Sequence, residues 1–279
     1  MDLVLFDCDS TLSRIEGIDE LARLKTMDEA TAAEIARLTR LAMEGVMPLE
    51  TVYAARLALL QPSRSDLQAV TARYRGTVVD DARAVIAALH ALGRPVYILS
   101  GGLFEAVADF GAWLGVPRSH ILAVGVYFNQ LAGRWWAYWE HAERGNLEEQ
   151  YLAYVHSPLS DSQGKAELAR QVAGEQRATL VGDGASDLAA QGAVAQFIGF
   201  GGVVRREAVA HAAAVYIESS SLAPVLPLVT TPGDFARLHD TAHQAIFERG
   251  LALIADGQVT FRQPGRKRRL LRSFGVEDR

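Results

Sequence analysis

The chain has 279 residues, with 28 Lys+Arg against 33 Asp+Glu and 49% hydrophobic residues. That balance excludes a disordered chain, a collagen-like repeat and a coiled coil, and the length suits one large domain with a satellite, or two domains. A single cysteine, Cys8, excludes an intrachain disulfide framework, and a net charge of −5 gives no reason to expect nucleic acid or an anionic membrane as partner.

The first apolar run, residues 3–6, lacks a basic flank and is too short for a signal segment. No stretch approaches the roughly 18 apolar residues of a membrane helix, so a cytoplasmic address is expected. The run ends in Asp7-Cys8-Asp9. Residues 14–76 then read as helical throughout, with apolar positions at Leu21, Leu24, Ile35, Leu38, Leu41 and Met43. They read as a helical insertion laid over the strand ends, or as a plain helical subdomain. Ala82, Val85, Ile86, Leu89 and Leu92 share one helical face, and Gly93 stands where a C-cap glycine would.

Residues 96–99 form a second apolar run, which ends in Ser100-Gly101-Gly102. Residues 124–139 read as a hairpin, with Trp135, Trp136 and Trp139 crowded on its second arm for packing or as a contact patch. A short helix over 167–172 leads to the run 179–181, which ends in Gly182-Asp183-Gly184. Further short helices fall at 188–191 and 206–213, and further strands at 197–200 and 214–217. Continuous rather than alternating hydrophobicity suits strands covered on both faces, so the pattern predicts an α/β, doubly wound, mainly parallel sheet. Such sheets bind ligands beyond the carboxyl ends of their strands, where all these small-and-acidic clusters lie.

Past residue 230 a helix is expected from about 234 to 255, with His239 and His243 one turn apart on it. That spacing can chelate zinc, but no third ligand is evident and a solvated face is the default. The basic cluster Arg266, Lys267, Arg268, Arg269 and Arg272 reads as a solvated face or an anion site.

Asp7 and Asp9, two apart in extended chain, turn both carboxylates to one side. Such a pair can divide labour between nucleophile and general acid–base, although this spacing is also common in caps and solvated loops. Asp183 and Asp187 could join Asp7 in an oxygen-only site suited to Mg²⁺. Ser100 with the glycine N–H groups can cradle an anion, and Lys165 supplies a fixed positive charge. Each element alone also fits an ordinary turn or helix start. Together they describe phosphoryl transfer, and the absence of a Walker loop or kinase signature favours an aspartyl phosphate resolved by water over nucleotide chemistry.

These four motifs, Asp7 to Leu12, Ser100 to Gly102, Lys165 and Gly182 to Asp187, resemble those of the haloacid-dehalogenase-type phosphatases. The segments Glu16 to Ala22, Arg56 to Arg64 and Ile198 to Gly202 are similar, more narrowly, to the phosphoserine-hydrolysing family within them. The resemblance covers about residues 1–229. It implies a core at 1–13 and 77–229, a small helical cap at 14–76, and an added helical extension at 230–279. It also implies hydrolysis of O-phospho-L-serine, the closing step of serine biosynthesis, with Mg²⁺ as cofactor and a small molecule as partner.

By the same resemblance, Asp7 is the nucleophile and Asp9 the acid–base. Mg²⁺ is held by Asp7, the backbone carbonyl of Asp9, and Asp183, with Asp187 in support. Ser100, Gly101, Gly102 and Lys165 hold the phosphoryl group. Glu16 takes the substrate ammonium and Arg56 its carboxylate, with Met43, Ser186 and Arg206 nearby. The chain departs from the family at Glu44, where glycine is common, and at Leu49, where phenylalanine is common. These departures leave room for another phosphorylated hydroxy acid, for transfer to a second alcohol, or for an idle phospho-ligand sensor. The extension could pair two copies as a homodimer, or serve as a lid or an ornament.

Overall fold

The computed structural model describes residues 2–25, 27–44, 46–129 and 150–277; of Met43 and Gln150 it describes the backbone but not the side chain. Strand β1 (Leu3–Phe6) is buried along its whole length, as its unbroken apolar run demands. It pairs in parallel with β2 (Val96–Leu103) on one side and β6 (Ala178–Gly182) on the other. Beyond β2 lies β3 (Ile121–Val124), and beyond β6 lie β7 (Gln196–Phe200), β8 (Val215–Ile217) and β9 (Val259–Phe261). The order β3-β2-β1-β6-β7-β8-β9 is parallel except for β9, which runs antiparallel to β8.

The chain works outward from β1 through β2 and β3, then returns to β1's other side with β6. The strand order therefore reverses between β1 and β6, and a crevice opens past their carboxyl ends. Asp7 N donates to Val181 O at 2.9 Å, so the loops after these strands start level with each other.

The insertion forms four helices among the described residues: α1 (Gly17–Leu24), α2 (Glu29–Met43), α3 (Leu49–Leu60) and α4 (Arg64–Gly76). Their starts follow local chemistry. The Asp28 side chain accepts from Thr31 N ahead of α2, and Ser63 with Asp66 makes a capping box on α4. Helices α5 (Ala82–Ala91), α6 (Phe104–Leu114), α7 (Gly164–Ala173), α8 (Ala185–Ala189) and α9 (Glu207–Ala212) link the strands.

The structure differs from the sequence pattern in three places. First, β4 (Val126–Asn129) pairs with β5 (Gln150–Tyr154), a strand the pattern did not suggest. The expected second arm of that hairpin and its three tryptophans lie outside the described residues. Second, the expected tail helix is two helices, α11 (Pro232–Leu238) and α12 (Gln244–Ala255), after a short α10 (Val225–Val229). Asp240 adopts a left-handed φ of 59°, and Thr241 Oγ1 donates to Leu238 O at 2.6 Å, which together end α11. His239 and His243 therefore sit in the break and do not share a helix face. Third, the C-terminal segment supplies β9, the last strand of the main sheet. Phe247 of α12 is fully buried and stacks on Phe235, 4.5 Å between ring centroids. The final helix, α13 (Arg266–Ser273), buries Leu271 and exposes Arg268, Arg269 and Arg272, the solvated face its charges predict.

Candidate active site

Asp7 and Asp9 follow β1, and Cys8 between them turns into the core with no exposed surface. Asp183 follows β6, and Asp187 lies in the first turn of α8, where it accepts from Gly184 N at 3.0 Å. Gly182 must be glycine, because a Cβ there would overlap the Asp187 carboxyl group. One oxygen from each of Asp7, Asp183 and Asp187 falls within 4.8 Å of the others, and all three residues are buried.

Two cations face this cluster. Lys165, at the start of α7, places Nζ 2.9 Å from Asp7 Oδ1 and 2.6 Å from Asp187 Oδ1. Arg206 donates from Nε to Asp183 Oδ2 at 2.9 Å and from Nη2 to Glu16 Oε1 at 3.2 Å. Thr11 Oγ1 also donates to Asp183, and Ser10 Oγ to Glu16. Burial pushes Asp7 well up, and Asp187 adds to this against the pull of Lys165. Burial likewise raises Asp183 to about 7, despite Arg206. Burial works against the Lys165 charge, but Asp187 and Asp7 outweigh it and hold the ammonium above its usual range. The carboxylates are thus short of positive charge even with both cations in place. An oxygen-only donor set with that deficit fits a hard divalent ion such as Mg²⁺.

Beside the cluster is a cavity lined by Asp7, Asp9, Glu16, Arg56, Ser100, Gly101, Lys165 and Ser186. The sequence reading chose all eight. Arg56, on α3, is 1% exposed, and its Nε has no hydrogen-bond partner. Burial lowers its pKa, an effect opposed by the carboxylates around it. Its guanidinium lies 5.5 Å from the centroid of the Tyr53 ring, and Nη1 donates to Thr39 Oγ1 at 2.9 Å. Tyr53 Oη in turn donates to Gly101 O at 2.8 Å, which ties the insertion to the carboxyl end of β2. Ser100 Oγ accepts from Gly102 N at 3.0 Å, so the hydroxyl proton is left to donate elsewhere.

Two expected contacts come out differently. Gly102 does not line the cavity, because its N–H is committed to Ser100 and Val107 crowds its α-carbon. Arg206 is bound to Asp183 and Glu16 and sits behind the cavity wall. The side chain of Met43 lies outside the described residues. Glu44 is exposed, whereas Leu49 lines the cavity and also a second one beside it, together with Ser186. Thr39, Leu159 and Asp161 line the cavity without having been anticipated. Nothing in their local pattern marks them. Thr39 occupies a helix-interior position, and Leu159 lies in a single 3₁₀ turn (Pro158–Ser160) before α7, with Asp161 just after it.

A parallel sheet with acidic loops at its switch point, a buried lysine and a serine-glycine strand end defines a phosphoryl-handling α/β enzyme of the hydrolase class. Residues 4–190 match the haloacid dehalogenase-like hydrolases, and the chain belongs to that family. Among its relatives, the phosphoserine phosphatases of Mus musculus and Homo sapiens are each 32% identical over 221 residues, 77% of this chain and 88% of theirs. The chloroplastic phosphoserine phosphatase of Arabidopsis thaliana is 34% identical over 75% of this chain and 66% of its own. The fold is shared with a phosphoserine phosphohydrolase-like protein from Francisella tularensis, at a TM-score of 0.68, 22% identity, and coverage of 82% of this chain and all of that one. It is shared as well with a substrate-bound phosphoserine phosphatase complex, at a TM-score of 0.67, 24% identity, and coverage of 82% and 98%. No helix among the described residues is long and apolar enough to cross a membrane.

Proposed function

We propose that the protein is a Mg²⁺-dependent phosphatase that hydrolyses O-phospho-L-serine to L-serine and phosphate. The observation that carries this reading is Arg56. A buried guanidinium with an unpartnered Nε, in one cavity with Glu16 and the Asp7–Asp9 pair, asks for a carboxylate. The curated relatives named above carry that activity in their names. An amino-acid phosphate offers an ammonium for Glu16, a carboxylate for Arg56 and a phosphoryl group for Asp7, with Lys165 beside it.

In this reading the Asp7 carboxylate attacks phosphorus, and the bond to the serine oxygen breaks as Asp9 gives that oxygen a proton. Lys165 neutralises charge on the nucleophile's side. Ser100, its proton released by the Gly102 contact, and the Gly101 backbone hold the phosphoryl oxygens. Asp9 then takes a proton from the water that opens the aspartyl phosphate and regenerates Asp7. Asp7, the Asp9 backbone carbonyl and Asp183, with Asp187 alongside, would hold Mg²⁺, whose charge offsets the repulsion between nucleophile and phosphate. Residues 14–76 serve as the cap that brings Glu16 and Arg56 to the chemistry, and 1–13 with 77–229 serve as the core.

The test is phosphate release from a panel of small phosphomonoesters, with Mg²⁺ and with EDTA. A metal-dependent preference for L-phosphoserine is expected. Metal-dependent activity centred on another ester would overturn the substrate and assign selectivity to Leu49 and its neighbours.

A further inference from the structure

Asp9 is held by two groups, one of them a tyrosine that none of the motifs includes. Its Oδ1 accepts from Tyr74 Oη at 2.5 Å and from Gly17 N at 3.2 Å, and no described residue donates to Oδ2. Tyr74 belongs to α4, the last helix of the insertion, is 1% exposed, and stacks on Phe110 at 5.2 Å between centroids. The backbone is shaped around its hydroxyl. Any side chain at Gly17 would collide with Tyr74 Oη, and a Cβ at Gly102 would reach contact with the same atom from the β2 side. A phenol carries its proton at neutral pH, so this hydroxyl is the donor and the Asp9 oxygen the acceptor.

We infer that Tyr74 is the positioning residue of the acid–base step, fixing Asp9 so that Oδ2 is the oxygen that carries the proton. An oxygen that already accepts from an O–H and an N–H has little capacity to hold a proton of its own, whereas Oδ2 is unencumbered. The inference deepens the proposed function and rests on it. As the bond from Asp7 to phosphorus forms and the ester P–O bond breaks, the proton on Asp9 Oδ2 passes to the departing alkoxide, which leaves as a neutral alcohol. Oδ2, now bare, receives the proton of the incoming water in the second half. Without the phenol, Asp9 is held by Gly17 N alone and can rotate its two oxygens past each other.

The experiment compares the wild type with Tyr74→Phe, which keeps the stacked ring and removes one oxygen. The value of kcat/KM is measured for L-phosphoserine, whose alkoxide needs the proton, and for p-nitrophenyl phosphate, whose phenolate scarcely does. A tenfold or greater loss on phosphoserine with no more than about threefold on the aryl ester is expected, a part of the range spanned by general acid catalysis. Equal losses on both esters, or none on phosphoserine, would overturn the assignment, since a structural defect cannot sense the leaving group. A second readout needs no turnover. A far-downfield hydroxyl proton resonance in the wild type, lost in both Tyr74→Phe and Asp9→Asn, supports the contact, and its absence from the wild type contradicts it. If the wild type prefers another alkyl phosphate, the serine reading falls while the comparison proceeds on that ester. A wild type inactive on every ester overturns both.

Discussion

The two sides of the cavity are built on opposite principles. On the sheet side, Asp7 and Asp183 stand on short loops after β1 and β6 and Asp187 in the first turn of α8, and each is paired with a cation. On the insertion side, Arg56 has a neutral partner in Thr39, the face of Tyr53, and an Nε with no partner at all. The sheet side has its protein counter-ions in place before any substrate arrives and lacks only a metal's charge, as a reaction common to all phosphomonoesters requires. Arg56 is left unsatisfied until a complementary group binds, which is how a buried polar group discriminates against ligands that lack its partner.

Variants on each side should therefore fail differently. Asp7→Asn should abolish phosphate release from every ester by several orders of magnitude, because the nucleophile serves all of them. Residual activity near wild type would return the sheet side to the role of a binding module. A control lies far from both sides. Phe247→Ala, in the buried aromatic cluster of the C-terminal segment, should cost about 4 kcal/mol in denaturant unfolding. It should leave the ratio of activities on phosphoserine and phosphoethanolamine unchanged, and a changed ratio would couple the tail to the site. Arg56→Ala should lower kcat/KM for phosphoserine about a hundredfold, and far less for phosphoethanolamine, which has no carboxylate. Equal losses would break the comparison, since Arg56 would then be supporting the fold alone.

The smallest effect concerns Asp19, which accepts from Thr39 Oγ1 at 2.5 Å behind Arg56. Burial raises its pKa from 3.8 to about 6, with Thr39 and Arg56 opposing. Its folded pKa lies above the unfolded one, so the ionised carboxylate destabilises the fold above about pH 6. That penalty fades as pH falls from about 6 towards 4. Asp19→Asn should therefore gain about 2 kcal/mol over wild type at pH 7.5, allowing for partial exposure, and less at pH 4. Unfolding curves at the two pH values give the answer, and a pH-independent difference would contradict it.

What the sequence revealed follows the same division. Buried parallel strands announce themselves as apolar runs, and the ends of those runs mark where Asp7, Ser100 and Asp183 lie, although β2 itself continues through Ser100 to Leu103. Strand β9 has three residues and borrows its place from β8, so no run betrays it. Strand β3 is separated from β4 by Gly125 alone, so the arm read from residue 124 takes in the last residue of β3 and misses the rest of that strand. The break in the tail depends on Asp240 and Thr241, whose local hydrogen bonds a helical apolar pattern does not register. Tyr74 and Thr39 were illegible for another reason. A tyrosine or threonine inside an amphipathic helix reads as packing, and only the approach of a distant chain segment gives its hydroxyl a task.

The measurement that tests the division most directly is kcat/KM of the wild type on three matched esters in Mg²⁺: L-phosphoserine, phosphoethanolamine without the carboxylate, and 3-phosphooxypropanoate without the ammonium. Phosphoserine should be preferred over each by about a hundredfold, with the first preference erased in Arg56→Ala and the second in Glu16→Gln. A wild type that treats all three alike would contradict the account, because the insertion would then read nothing that the sheet does not.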